Sequence, residues 1–146
     1  MKYRFLILTI LMAYSFAAFA QTKQAVKWQT VSNDKIATIS YNPKITNAKN
    51  GYHVVWVKAD YKTSDWQWYF AQQVGLKNPV YSTKTKVWYD KDYNYCMVRQ
   101  VLLFNKSGKQ VYNSGEDDSA GWTVVNAADP VGIVGEYLGS KLQSAY

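Results

Sequence analysis

The sequence predicts an α+β domain: an antiparallel β-sheet of about six strands, a short helix inserted mid-chain and a C-terminal helix packed on one face. Three observations lead there. Alternating, β-branched runs bounded by Asn, Asp and Gly turns recur along the chain. Aromatic residues at helical intervals interrupt them once, after Ser64. Asp129-Pro130 then opens a final segment with one apolar face.

The first strand is expected over residues 25–31 and the second over 35–41, joined by the turn residues Ser32, Asn33 and Asp34 and ended by Pro43. Asn50-Gly51 opens the most strongly alternating run, residues 52–58. Ser64, with Gln67 three positions on, has the spacing of a capping box. Trp66, Tyr69, Phe70 and Val74 follow at helical intervals, and Gly75 is a suitable stop. Strands resume over 81–89. Residues 93–104 and 109–114 read as a hairpin around the turn at 105–108. An acidic loop spans 115–121, and residues 121–125 read as a last strand. In the closing helix, Val131, Val134, Leu138 and Leu142 form the apolar face. Gly132, Gly135 and Gly139 weaken that helix unless they let it lie close against the sheet.

Ahead of this domain, residues 1–20 read as a cleavable secretory signal. Lys2 and Arg4 precede an apolar stretch from Phe5 to Met12, and Ala18 and Ala20 place small residues before a cut ahead of Gln21. A spanning helix needs about 20 apolar residues, and this core is shorter, so residues 21–146 are expected as one exported domain with no integral membrane segment. Loss of Lys2 and Arg4 lowers the formal charge from +7 to +5. Arg99 is then the lone arginine among scattered lysines, which argues against a nucleic-acid partner. Cys96 is the single thiol, either buried and inert or paired with another chain; its neighbours Tyr95, Met97 and Val98 favour burial.

Chemistry-bearing residues are sparse. His53 is the only histidine and lies in an alternating strand; it could meet Cys96 across a sheet, but so could almost any two strand residues, and spacing alone does not point to a catalytic pair. One Cys and one His fall short of a zinc set. Glu116, Asp117 and Asp118 could hold a calcium ion but lack alternating ligand spacing, and a solvated loop tip is the ordinary explanation. No catalytic residue, metal or cofactor is therefore expected. The unusual feature is aromatic content: all six Trp lie beyond residue 20. Trp28, Trp56 and Trp122 are expected in the core. Trp66, Trp68 and Tyr69, beside Lys62, are the expected binding surface, because Trp66 and Trp68 cannot point the same way on one helix.

Residues 52–58, 95–99, Tyr112 with Gly115, Trp122 to Val125, Asp129-Pro130 and Gly135 to Leu138 together resemble, in order and spacing, the surface-adhesin protein E family of Gram-negative bacteria. The resemblance extends back to Trp28 and Val31. It implies an exported antiparallel sheet with a C-terminal helix, acting as an adhesin for host matrix or serum proteins. The chain departs from that pattern twice: it has no Cys after the signal for lipid attachment, and no second Cys near the C-terminal helix to pair with Cys96. The expectation is an exported, non-enzymatic, adhesin-E-like binding protein. The alternative is a periplasmic protein that binds a small ligand or an envelope component. An enclosed aromatic pocket would favour the alternative, and aromatics on a convex face or sheet edge would favour the adhesin.

Overall fold

The computed structural model describes residues 25–145; the expected secretory signal over 1–20 and its expected cleavage ahead of Gln21 lie outside the described residues. The described residues form an antiparallel sheet with two helices. Its elements are β1 (Gln29–Asn33), β2 (Ala37–Tyr41), β3 (Thr46–Asn47), β4 (His53–Tyr61), α1 (Ser64–Gln73), β5 (Ser82–Tyr89), β6 (Tyr95–Phe104), β7 (Gln110–Asn113), β8 (Thr123–Val124) and α2 (Pro130–Gln143). The strand order is β1-β2-β4-β5-β6-β7. The two long strands each hold two partners end to end: β4 pairs β2 and β3 on one side, and β6 pairs β7 and β8 on its far side.

The first strand begins four residues later than its alternation suggests, and its turn moves with it. Asp34 Oδ1 accepts hydrogen bonds from the backbone N–H of Ile36 (2.7 Å) and Ala37 (2.9 Å). This Asx-type turn draws Ser32 and Asn33 into the ladder opposite Ile39 and Thr38. The capping box also fails. Thr63, not Ser64, is the N-cap of α1 and makes no side-chain cap bond, while Gln67 Nε2 donates to the Tyr61 carbonyl at 2.9 Å. Gln67 is thus spent on the strand that precedes the helix. At the hairpin, Asn105 Oδ1 accepts from the N–H groups of Ser107 and Lys109, and Gly108 supplies the positive φ of 80° that the turn requires.

Both helices cover the same face. Val55, Val57 and Ala59 of β4 and Val87 and Tyr89 of β5 are almost fully buried against Val134 and Leu138 of α2. Ala71 of α1 packs on Val80 and on Leu103 of β6. The start of α2 follows the sequence closely: Asp129 is the N-cap, accepting from the Gly132 N–H at 2.8 Å, and Pro130 follows it. The glycines permit close approach. A Cβ on Gly132 would lie 1.4 Å from the Asn126 carbonyl oxygen, and one on Gly135 would lie 2.8 Å from the Tyr89 ring. Tyr89 completes the clasp by donating its hydroxyl to the Val131 carbonyl at 2.6 Å.

None of the three tryptophans expected in the core is there. With Val55 and Val57 facing the helices, alternation sends Trp56 to the uncovered face, where it is half-buried. Trp28 precedes β1 and is half-buried beneath Lys84. Trp122 precedes β8, is exposed, and meets Tyr52 edge-on at 4.8 Å.

Candidate functional site

Helical spacing places Trp66, Tyr69 and Phe70 on one side of α1, where they meet Tyr61 at the end of β4. The rings form a contiguous stack: Tyr61 to Phe70 at 4.8 Å, Phe70 to Tyr69 at 5.3 Å, and Trp66 to Tyr69 at 5.4 Å, the latter two edge-on. Phe70 and Tyr61 anchor this cluster in the core. Trp66 and Tyr69 remain 42% and 48% exposed, more than core packing would leave.

These rings form one wall of a groove of about 490 Å³. Ile36, Ala37 and Ile39 line it from the β1–β2 turn and β2, and the opposite wall is the lead-in and first turn of α2, with Pro130 and Ile133. No lysine or arginine lines it; its charged members are Asp34 and Asp129. The N–H groups of Ala37 and Ile36, helped by nearby Lys62, hold the Asp34 carboxyl below its usual range, so that rim carries a firm negative charge at neutral pH. Burial pushes the Tyr61 phenol up to about 12, so the ring at the groove's base stays neutral.

The predicted binding residues separate. Trp66 and Tyr69 line the groove, whereas Trp68, about 200° round the helix from Trp66, is 40% exposed outside the groove lining. Lys62 is a tether: its ammonium donates to Asn33 Oδ1 at 2.6 Å and to the Asp34 carbonyl, holding the entry of α1 to the β1–β2 turn. Sequence reasoning missed Ile36, Pro130 and Ile133 as wall residues. Their apolar character was visible, but the meeting of residues 66–70 with 127–133 is a tertiary event with no local signal.

His53 and Cys96 do not form a dyad. Both pair with Tyr89, from opposite sides, so they lie two strands and roughly 10 Å apart with that buried ring between them. His53 stacks on Tyr93 at 4.8 Å, with its ring nitrogens 3.1 Å from Asn47 Oδ1 and 3.3 Å from the Lys91 carbonyl oxygen. Cys96 is buried against Thr123, and burial pushes its thiol above the ordinary range, away from the reactive thiolate. The acidic loop is solvent-exposed, as expected, and is tied to the sheet by ion pairs. Glu116 lies 2.9 Å from Lys86 Nζ, Asp118 pairs with Arg99, and Asp117 accepts from Ser119. Among the described residues no group of three or more His, Cys, Asp or Glu is placed to hold a metal, and no helix is long and apolar enough to cross a membrane.

The arrangement is suited to burying an apolar side chain beside a cation. No protein-family model, curated protein or solved structure matches the chain.

Proposed function

We propose that this chain is an exported, non-enzymatic binding protein of the adhesin-E-like kind. It takes an apolar segment flanked by Lys or Arg, from a host matrix or serum protein, into the groove between α1 and α2. The aromatics lie neither on a convex face nor in an enclosed pocket, and what supports this reading is an open, apolar recess with half-exposed Trp66 and Tyr69 on its wall and two carboxylates as its charged members. Large, rigid aromatic rings that are half exposed before binding are the usual anchors of protein interfaces, and the carboxylates add preference for a basic flank. This revises the role of the lysines: none is in the groove lining, and Lys62, at its rim, is spent on Asn33 and the Asp34 carbonyl.

The test is binding of the immobilised domain to a panel of matrix and serum proteins. Trp66→Ala and Tyr69→Ala should each cost about 2 kcal/mol, roughly thirtyfold in affinity, with the far-ultraviolet spectrum unchanged. Trp68→Ala should stay within about twofold, since it removes no groove contact. Equal losses at Trp66 and Trp68 would reject the groove as the site.

The volume favours one second reading, because about 490 Å³ also lies within the usual span of small-molecule pockets. Antibody labelling of intact against permeabilised cells separates the two. Signal from intact cells supports the adhesin. Signal only after permeabilisation supports a periplasmic protein that binds a small ligand or an envelope component.

A further inference from the structure

The uncovered face of the sheet carries a lysine pair that the groove does not use. Lys58 of β4 and Lys84 of β5 are direct cross-strand partners. Like charges in that position destabilise a sheet. Lysines also guard sheet edges, but β4 and β5 are interior strands with neighbours on both sides, so edge protection does not account for this pair.

Nor is the pair fully neutralised. Lys58 Nζ lies 2.8 Å from Asp60 Oδ2. Lys84 is in ion-pair contact with no carboxylate among the described residues. Its ammonium lies instead 4.5 Å from the Phe104 ring centre and 5.7 Å from that of Trp28. Lys106, in the β6–β7 turn, sits similarly over Tyr81 at 6.0 Å. The three lysines line a cleft of about 390 Å³ in which Asp60 is the single carboxylate, leaving two positive charges in excess. Farther along the same face, Lys86 and Arg99 are matched by Glu116 and Asp118. The face is thus balanced at one end and cationic at the other. A ring holds an ammonium in place but does not cancel its charge.

We propose that this cleft binds a doubly charged oxyanion, phosphate or a phosphomonoester, with Lys58, Lys84 and Lys106 as its cationic contacts. A phosphomonoester carries about −1.5 to −2 at neutral pH, matching the excess. Two further donors line the cleft: the Ser82 hydroxyl, and the Asn105 amide N–H₂, whose oxygen is already engaged by the turn. The phosphate could be soluble or belong to a lipid headgroup, and the experiment separates these sources.

Calorimetry and thermal melting of the protein with inorganic phosphate, against chloride at matched ionic strength, should show saturable binding and a raised melting temperature. Lys84→Met and Lys106→Met should each weaken binding about tenfold or more, while Lys109→Met, outside the cleft, leaves it unchanged. Without phosphate, Lys84→Met should melt no lower than the parent, because it relieves the repulsion with Lys58. Sedimentation with phosphatidic acid vesicles, lost in Lys84→Met and absent with phosphatidylcholine, would assign the lipid source; binding of soluble phosphate alone would assign the other. The proposal falls if neither phosphate nor the vesicles bind beyond the controls, or if Lys109→Met weakens binding as much as Lys84→Met.

Discussion

The groove between the helices and the cleft on the opposite face are built from the same strands with opposite chemistry. Along β4, Val57, Ala59 and Tyr61 turn toward the helices, while Lys58 and Asp60 between them turn away. A step of one residue separates an apolar, acid-rimmed recess from a basic one. The two differ in what holds them. The groove exists only where α1 and α2 are both seated on the sheet, whereas the cleft needs little beyond the β4–β5–β6 ladder and the β6–β7 turn. Anything that loosens α2 should therefore erase the groove first.

The largest expected effect comes from Gly132→Ala. The added methyl meets the Asn126 carbonyl and should cost about 3 kcal/mol in urea unfolding, with loss of partner binding at the groove. Phosphate binding at the cleft should outlast partner binding as urea is raised. Loss of both together would show that the two regions are one cooperative unit. A gain of about 1 kcal/mol, which the helix propensity of Ala alone would give, would mean that α2 does not approach this closely.

Tyr89→Phe is a gentler version of the same experiment. It removes the hydroxyl donated to the Val131 carbonyl while keeping the ring that fills the core. The expected loss is about 1 kcal/mol by urea denaturation, with an unchanged slope.

Asp34→Ala is the smallest probe, confined to the β1–β2 turn that forms one rim of the groove. The folded-state pKa of Asp34 lies below its ordinary value, chiefly through the N–H groups of Ala37 and Ile36. Its stabilisation is therefore complete above the unfolded-state value of about 3.9 and fades as pH falls through the folded one. The difference in urea midpoint between parent and variant should be clear at pH 7 and shrink progressively as pH falls below about 3.9. A difference that persists in acid would trace the effect to the turn's shape and not its charge.

How much of this was legible in the sequence follows from the range of each signal. Alternation in β4 and β5 and the Asp129-Pro130 start of α2 are local patterns, and the sheet and final helix follow from them. Strand ends were misplaced where a single side chain sets them, as Asp34 does between β1 and β2. The tryptophans misled because hydrophobicity says that a residue avoids water without saying which face it takes. Val55 and Val57 decided that for Trp56. Of the candidate site, Trp66 and Tyr69 were legible from crowding on one helix, and Trp68 and Lys62 were included by proximity in sequence. The opposite wall lies some sixty residues away, and no local pattern announces it.

The near-sequential strand order has a consequence in time. The main path runs β1, β2, β4, β5, β6 and β7, each strand pairing with the next along that path, so the meander can assemble in chain order. Its seal comes last, because α2 is synthesised after every strand it covers. Until residue 130 and those beyond it are available, Val55, Val87 and Tyr89 have no helix to lie under. The half-made protein is then a sheet with one greasy side, the form in which a chaperone or a stray strand edge would meet it.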